Sequence, residues 1–395
     1  MSVAKVASSV GMAGLALAGG DQALLRKAAT TAVDPVEGGI ASRLTAALMA
    51  LQKPAAVPKN FFRSLMEDGP GAKGKMLAVG GHRGMGENLM NDNEPLVLPP
   101  LWRENTLKSF AKAGEHGAIF CEFDVQVTKD GVPVVWHDDT ITFGSQSHPI
   151  TCAIRDLEFK EFQALGPRPT DNNGTLRELI PLQRLFRSRA TGQKAAGVNL
   201  WRCFDEDELP SLADVLCQTS GDMGLNIEVK MTTKPDVERT PQEEVDFVVS
   251  ATLDTISRCV ASNPPRSGPV VMSSFDPDVC AALRERQTVY PVFFLSCGGQ
   301  EAHVDPRRTS VEAAVEFALA RDLVGISVET AVLKREQHLV EMATSRSLKV
   351  MTYGLGNNDT EWIIRQSELG VHAAIVDDVA GVLSQIAASN AAASL

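Results

Sequence analysis

An α/β fold whose eight parallel strands close into a barrel is what this sequence predicts, and three observations predict it. Beyond the first 74 residues, eight short apolar β-type runs alternate with helical patterns. Strands separated by helices need crossover connections, which join parallel rather than antiparallel neighbours. Helix-start signals follow several of these strands directly, which puts those loops at the carboxyl end of a barrel, where the sites of this fold sit. Finally, the only long interruption, between His137 and Leu225, is too polar and too long to be a bare loop in a compact domain and reads as an inserted subdomain after the second strand region.

In chain order, residues 1–74 form an N-terminal extension with no acidic residue before Asp21 and much Ala, Ser and Gly. It is poor in arginine, and Val10 to Ala18 resembles a short signal-peptide core, so a loosely helical extension and a cleaved targeting segment are both open. The first reading places the protein in the cytoplasm and the second, as a transit peptide, in a plastid. Residues 75–386 form the barrel, with an insertion over roughly 140–223, and 387–395 a tail. The eight strands are placed at Met76 to Gly80, Ile119 to Val127, Leu225 to Val229, Val270 to Ser274, Val289 to Leu295, Gly325 to Val328, Leu348 to Tyr353 and Ala373 to Val376. Asp276-Pro277 supplies a cap followed by proline at the first helical position, and Thr309 and Asn358 each precede an acid by three residues. Within the insertion, Ile154 to Leu165 and Leu212 to Leu216 have helical spacing, and Trp201 and Phe204 are the packing anchors. Its Arg184, Arg187, Arg189 and Lys194, beside Asp205 to Glu208, are expected to cover a small charged head group.

The chemistry concentrates on two strands. Glu122 and Asp124 are two apart, so they share a strand face while Phe123, Val125 and Val127 take the other. Buried carboxylates cost several kcal/mol unless something positive pairs with them. Glu228 and Lys230 repeat the pattern in GLNIEVK. Three oxygen donors without a cysteine favour a hard divalent cation, Mg²⁺ or Ca²⁺, over zinc. His82 and His137 then remain free for proton transfer, a division that suits phosphodiester cleavage. The glycines from Gly80 to Gly86 match no dinucleotide or P-loop spacing and are expected to let backbone approach a phosphate.

GHRG, the ENTLKSF that begins at Glu104, EFDVQVTKDGVPVVWHD, NIEVK, SSFDPD and GVHAAIVDDV, in this order from about Lys75 to Val382, resemble the glycerophosphodiester phosphodiesterase family. The resemblance implies a metal-dependent (β/α)₈ TIM barrel that cleaves glycerophosphodiesters such as glycerophosphocholine to sn-glycerol 3-phosphate and an alcohol. It implies His82 and His137 as the acid/base pair, Glu122, Asp124 and Glu228 as metal ligands, and Arg83 and Lys230 as phosphate-contacting cations. Glu104 and Asn105 match a motif pair near the metal. Tyr353 stands where the family commonly offers a tryptophan near the glycerol, a departure that bears on substrate preference. The long stretch from Gly84 to Arg103 and the string YPVFFLSCGG resemble the plant and fungal intracellular branch.

A net charge of −11 and a pI near 5.2 argue against nucleic acid or an anionic membrane surface as the main partner, and the small-molecule diester is what the resemblance implies. Seven cysteines without CxxC spacing read as buried free thiols, and no apolar run reaches the length of a membrane span. The rival readings are a lysophospholipase D or phospholipase C-like enzyme acting on lipids, and a catalytically silent binding protein on the same fold. Oligomeric state is not set by the sequence.

Overall fold

The computed structural model describes residues 77–89, 99–145, 147–167, 180–187, 199–232, 234–262 and 266–393. The N-terminal extension, Arg189 and Lys194 lie outside the described residues. The strands begin with β1 (Ala78–His82), β2 (Phe120–Val127) and β3 (Pro133–Val135). Then come β4 (Thr140–Ser145), β5 (His148–Ala153), β6 (Leu182–Arg184) and β7 (Asn199–Leu200). The series ends with β8 (Gly224–Val229), β9 (Val270–Ser274), β10 (Val292–Ser296), β11 (Gly325–Glu329), β12 (Lys349–Tyr353) and β13 (Ala373–Val376). The described helices are α1 (Leu107–Glu115), α2 (Phe159–Leu165), α3 (Leu212–Gln218), α4 (Gln242–Ser262) and α5 (Pro277–Arg286). After them come α6 (Val311–Ala320), α7 (Thr330–Arg335), α8 (His338–Thr344), α9 (Thr360–Leu369) and α10 (Val379–Ala393).

The parallel sheet runs β1-β13-β12-β11-β10-β9-β8-β2, and β1 also pairs with β2, which closes an eight-stranded barrel. All eight predicted strands are present. Alternation along each strand divides the core into two layers. Val79, Phe123, Ile227, Phe294 and Val350 face the helices, whereas Ala78, Phe120, Phe293, Met351 and Ile375 fill the barrel. A Cβ on Gly80 would stand 2.2 Å from the Phe120 ring, so this position has no room for one. Burying such a ring stabilises by roughly 1.5–3 kcal/mol.

β3 turns back antiparallel on β2, pairing Val135 with Val125 on the edge that β1 occupies lower down, at Phe120 to Glu122. That reversal brings His137 over the mouth of the barrel.

Two local expectations need correction. Ser310 and Asp359, not Thr309 and Asn358, cap α6 and α9. Asn358 instead accepts from the backbone N–H groups of Asp377 and Asp378, at 2.9 Å each. Within the insertion, the helix expected from Ile154 to Leu165 is a 3₁₀ turn at Ile154–Asp156 followed by α2, separated by Leu157 and Glu158 in extended backbone. The residues before it form the β4–β5 hairpin of a four-stranded antiparallel sheet, β5-β4-β6-β7. Trp201 is an anchor as expected, buried among Trp136, Phe162, Leu182 and Phe186, while Phe204 is only half-buried and outside that cluster.

The seven cysteines are free thiols, but only Cys121, Cys203 and Cys280 are buried as expected; Cys152, Cys259 and Cys297 are half-buried, and Cys217 is exposed with its sulfur 3.8 Å from that of Cys259. Among the described residues no helix is long and apolar enough to cross a membrane.

Candidate active site

Strand parity carries Glu122, Asp124 and Glu228 into the barrel at its carboxyl end. Asp124 and Glu228 are register partners on β2 and β8, and one ligand atom from each of the three carboxylates lies within 4.8 Å of the others. All three are buried. Lys230 Nζ stands 3.2 Å from Glu228 Oε1 and 3.5 Å from Asp124 Oδ1, and Arg83 Nε 3.2 Å from Asp124 Oδ2. Asn105 Nδ2 donates to Asp124 Oδ2 at 2.8 Å, and Arg83 Nη1 donates to Glu104 Oε1 at 2.7 Å. Arg83 and Asn105 both adopt left-handed backbone, at φ 50° and 58°, a conformation non-glycine residues seldom take and one that clusters at functional sites.

The carboxylates outnumber their cations, and their electrostatics show it. Burial, with Asp124 and Glu228 alongside, pushes the Glu122 carboxyl well above the ordinary carboxylate range. Burial also raises Glu228, against the pull of Lys230. For Asp124 burial is overridden by His137, Arg83 and Lys230, which hold it well below that range. Glu122 Oε1 is buried without a hydrogen-bond partner among the described residues. An orphaned anionic oxygen facing two other carboxylates fits a hard divalent cation, so the residues present suit Mg²⁺ or Ca²⁺.

His82 ends β1. Its Nδ1 is 2.7 Å from Asp377 Oδ1 and its Nε2 3.9 Å from Glu122 Oε2. Burial and the Arg83 charge would lower its pKa, but Asp377 and Glu122 raise it to about 9. His137 pairs Nδ1 with Asp138 Oδ1 at 2.7 Å. Partial burial, then the charges of Arg83 and Lys230, hold it below the usual imidazole range. Among the described residues His82, Glu87 and Asp377 are a second group spaced for a metal, but the His82 hydrogen bond and the Glu87 N–H, 2.9 Å from Asp377 Oδ1, already satisfy that carboxylate.

Nine of the ten predicted residues therefore meet around one point. Tyr353 stands at the edge of this group, within electrostatic reach of Glu228: its hydroxyl lies 3.6 Å from Cys297 Sγ and its ring meets Phe275 edge-on at 5.6 Å. Burial raises its phenol well above the ordinary value. Gly84 and Gly86 have φ of 92° and 107°, and a Cβ would strike Ser109 on α1 or the backbone of Asp377, so they permit a tight turn between neighbouring elements. The acidic stretch of the insertion likewise grips the barrel. Asp205 binds Lys108 Nζ at 2.7 Å, Asp207 accepts from the Lys108 N–H at 2.8 Å, and Glu206 pairs with Arg103 at 2.6 Å. Sequence reasoning did not single out Asp377 and Asp138, and it expected Arg184 as part of a cover over the head group rather than as a partner of Asp138 and Glu104.

The family model described as "Glycerophosphoryl diester phosphodiesterase family" matches residues 82–380. The chain is 33% identical over 308 residues to the glycerophosphodiester phosphodiesterase GDPD2 of Arabidopsis thaliana, covering 78% of this chain and 76% of that one. It is 33% identical over 316 residues to the chloroplastic GDPD1 of the same plant, covering 78% and 80%, and 30% identical over 311 residues to human glycerophosphocholine phosphodiesterase GPCPD1, covering 76% and 43%. A solved structure from Silicibacter pomeroyi, assigned to the glycerophosphoryl diester phosphodiesterases, superposes with a TM-score of 0.55 at 22% identity, covering 83% of this chain and 98% of that one. That likeness bears on the fold.

Proposed function

The chain belongs to the glycerophosphoryl diester phosphodiesterase family and is an enzyme of that class; from this premise we propose that it hydrolyses water-soluble glycerophosphodiesters, glycerophosphocholine first among them, to sn-glycerol 3-phosphate and a free alcohol. The observation that carries this reading is the layer at the mouth of the barrel, where two imidazoles, each with Nδ1 hydrogen-bonded to an aspartate, accompany three converging carboxylates, His82 beside Glu122 and His137 within electrostatic reach of Asp124.

Glu122, Asp124 and Glu228 would hold the divalent cation, Mg²⁺ or Ca²⁺. When bound, it neutralises the phosphate and polarises its P–O bonds. Arg83 and Lys230 add positive charge on the same layer, so an anionic diester is drawn to the point where the carboxylates meet. An imidazole whose Nδ1–H is given to a carboxylate presents Nε2 to the substrate. One ring accepts a proton from the attacking water as its oxygen bonds to phosphorus, and the other delivers a proton to the alcohol whose P–O bond breaks; if a glycerol hydroxyl attacks first, the cyclic phosphate so formed takes up water in a second step of the same kind. Tyr353 and Phe275 offer apolar ring edges beside this centre for the carbon skeleton of the glycerol. The human relative GPCPD1 is named for glycerophosphocholine, as are fungal and rat relatives, which supports that head group. We place the protein in the cytoplasm, with a plastid the alternative.

The test is turnover of a panel of glycerophosphodiesters and a lysophospholipid by purified protein, read as glycerol 3-phosphate or choline released, with and without chelator. Diester hydrolysis that stops on chelation and returns with Mg²⁺ or Ca²⁺ is the expected result. No glycerol 3-phosphate from any diester, or a preference for the lysophospholipid, overturns it.

A further inference from the structure

We propose that Arg184, delivered by the inserted sheet, is a positioning residue that fixes the ring of His137 through Asp138 and ties it to the cation Arg83 through Glu104; this rests on the reading of His137 as a proton-transfer group. Arg184 Nε and Nη2 meet the two oxygens of Asp138 at 3.0 and 3.2 Å, the forked geometry a guanidinium makes with a carboxylate. Asp138 Oδ1 is the atom that accepts from His137 Nδ1, at 2.7 Å. The third nitrogen, Nη1, stands 2.7 Å from Glu104 Oε2, and the other oxygen of Glu104 holds Arg83 Nη1, also at 2.7 Å. Arg83 in turn reaches Asp124. One unbroken line of charge-paired groups thus runs from His137 to a carboxylate of the metal-type cluster, and Arg184 is its middle link.

The side chains differ in how far they can hold themselves. Arg184 and Glu104 are buried, at 5% and 1% exposure, but those of His137 and Asp138 are 31% and 33% exposed. Left alone, a carboxylate that accessible to water would turn among its rotamers, and the imidazole beside it would sample both tautomers and both ring flips. Arg184 itself cannot move freely. Its guanidinium lies 4.6 Å from the centre of the Trp201 ring, Arg103 lies 4.5 Å from the same ring, and the indole N–H donates to Asn88 Oδ1 at 2.9 Å. Packing needs no arginine here. The neighbouring cluster of Trp136, Leu182, Phe186 and Trp201 would accept an apolar side chain, and burying a guanidinium is repaid only where its partners are complete. Lysine cannot reproduce the fork, because it offers a point charge rather than two parallel N–H groups.

The experiment compares wild type with Arg184→Met, Arg184→Lys and Asp138→Asn by steady-state kinetics, thermal unfolding and ¹⁵N NMR of the His137 ring in full-length protein. Wild type should show His137 with its proton on Nδ1. Arg184→Met should show mixed tautomers and a kcat lower by about 10–100-fold, the range typical of partners that orient a site group, with KM changed much less. Arg184→Lys should recover part of the kcat. If Arg184→Met does not fold, Asp138→Asn carries the same expectation for tautomer and kcat. A folded Arg184→Met with wild-type tautomer and kcat, whatever its unfolding temperature, overturns the proposal. A wild type that cleaves no diester yet shows the tautomer change in Arg184→Met would overturn the catalytic reading and leave the positioning one intact.

Discussion

His82 Nδ1 and Asp377 Oδ1 lie 2.7 Å apart although 295 residues separate them in the chain. Asp377 also accepts from the N–H of Glu87, so its carboxylate is fixed from two directions. It therefore holds the proton of His82 on Nδ1 and turns Nε2 toward Glu122. Asp377→Asn preserves shape but removes the charge and can present an amide N–H to the ring. The variant should lose roughly 10²–10⁴ in kcat with KM nearly unchanged. Steady-state kinetics decide it, and an unaltered kcat would reduce Asp377 to a structural partner.

Metal dependence has a readout that does not need turnover. Binding to the folded state alone should raise stability by about 2.7 kcal/mol when the free ion reaches a hundred times its dissociation constant. Titrating Mg²⁺ or Ca²⁺ into metal-stripped protein should raise the unfolding temperature. The rise should shrink in Glu122→Gln, Asp124→Asn and Glu228→Gln, and full activity after chelation would sink the metal assignment.

His82→Ala and His137→Ala should each lower turnover by at least ~10²-fold while the thermal unfolding temperature changes little. Their double variant should be far less than multiplicatively worse, because the two rings serve one reaction. Near-wild-type rates in either single variant would remove that ring from the mechanism.

Acid stability should report a histidine far from the chemistry. His372 is buried just before β13, accepts from the Val350 N–H at 3.1 Å through Nδ1, and has its pKa lowered from 6.5 to about 4, first by burial and then by Lys349. The unfolded ring takes a proton below its ordinary value, and the folded ring only near pH 4. The unfolded state thus binds more protons in that window. The stabilisation is complete above pH 6.5 and is lost progressively as pH falls toward 4. The total is of order 3 kcal/mol at most. Urea unfolding at a series of pH values should show His372→Asn less acid-sensitive than wild type, and parallel curves would refute the assignment.

The barrel strands were legible because each is buried on both sides, which leaves continuous apolar runs, and because a two-residue spacing fixes which carboxylates share a face. Adjacent aspartates were harder. Asp377 reaches back to His82, while its neighbour Asp378 accepts from the Gly381 N–H at 2.9 Å at the start of α10, and only the end of a strand in space separates those duties. The inserted sheet was illegible for another reason. Its strands run from two to six residues, and β5 is mostly exposed, so little apolar periodicity exists to read. The pairing of Arg184 with Asp138 spans 46 residues of chain and leaves no local mark.

The order in which the barrel closes has a consequence for how the protein is made. β1 needs β13 on one edge, with Ala78 paired to Ala373, and β13 is the last strand to be synthesised. At about 5–20 residues per second, the 295 residues from His82 to Asp377 take roughly 15–60 s to appear on a ribosome. During that time β1 has an open hydrogen-bonding edge, the kind of surface that recruits stray strands or a chaperone. A nascent chain lacking Asp377 holds all three carboxylates and both imidazoles of the site, yet it cannot orient the first of those rings.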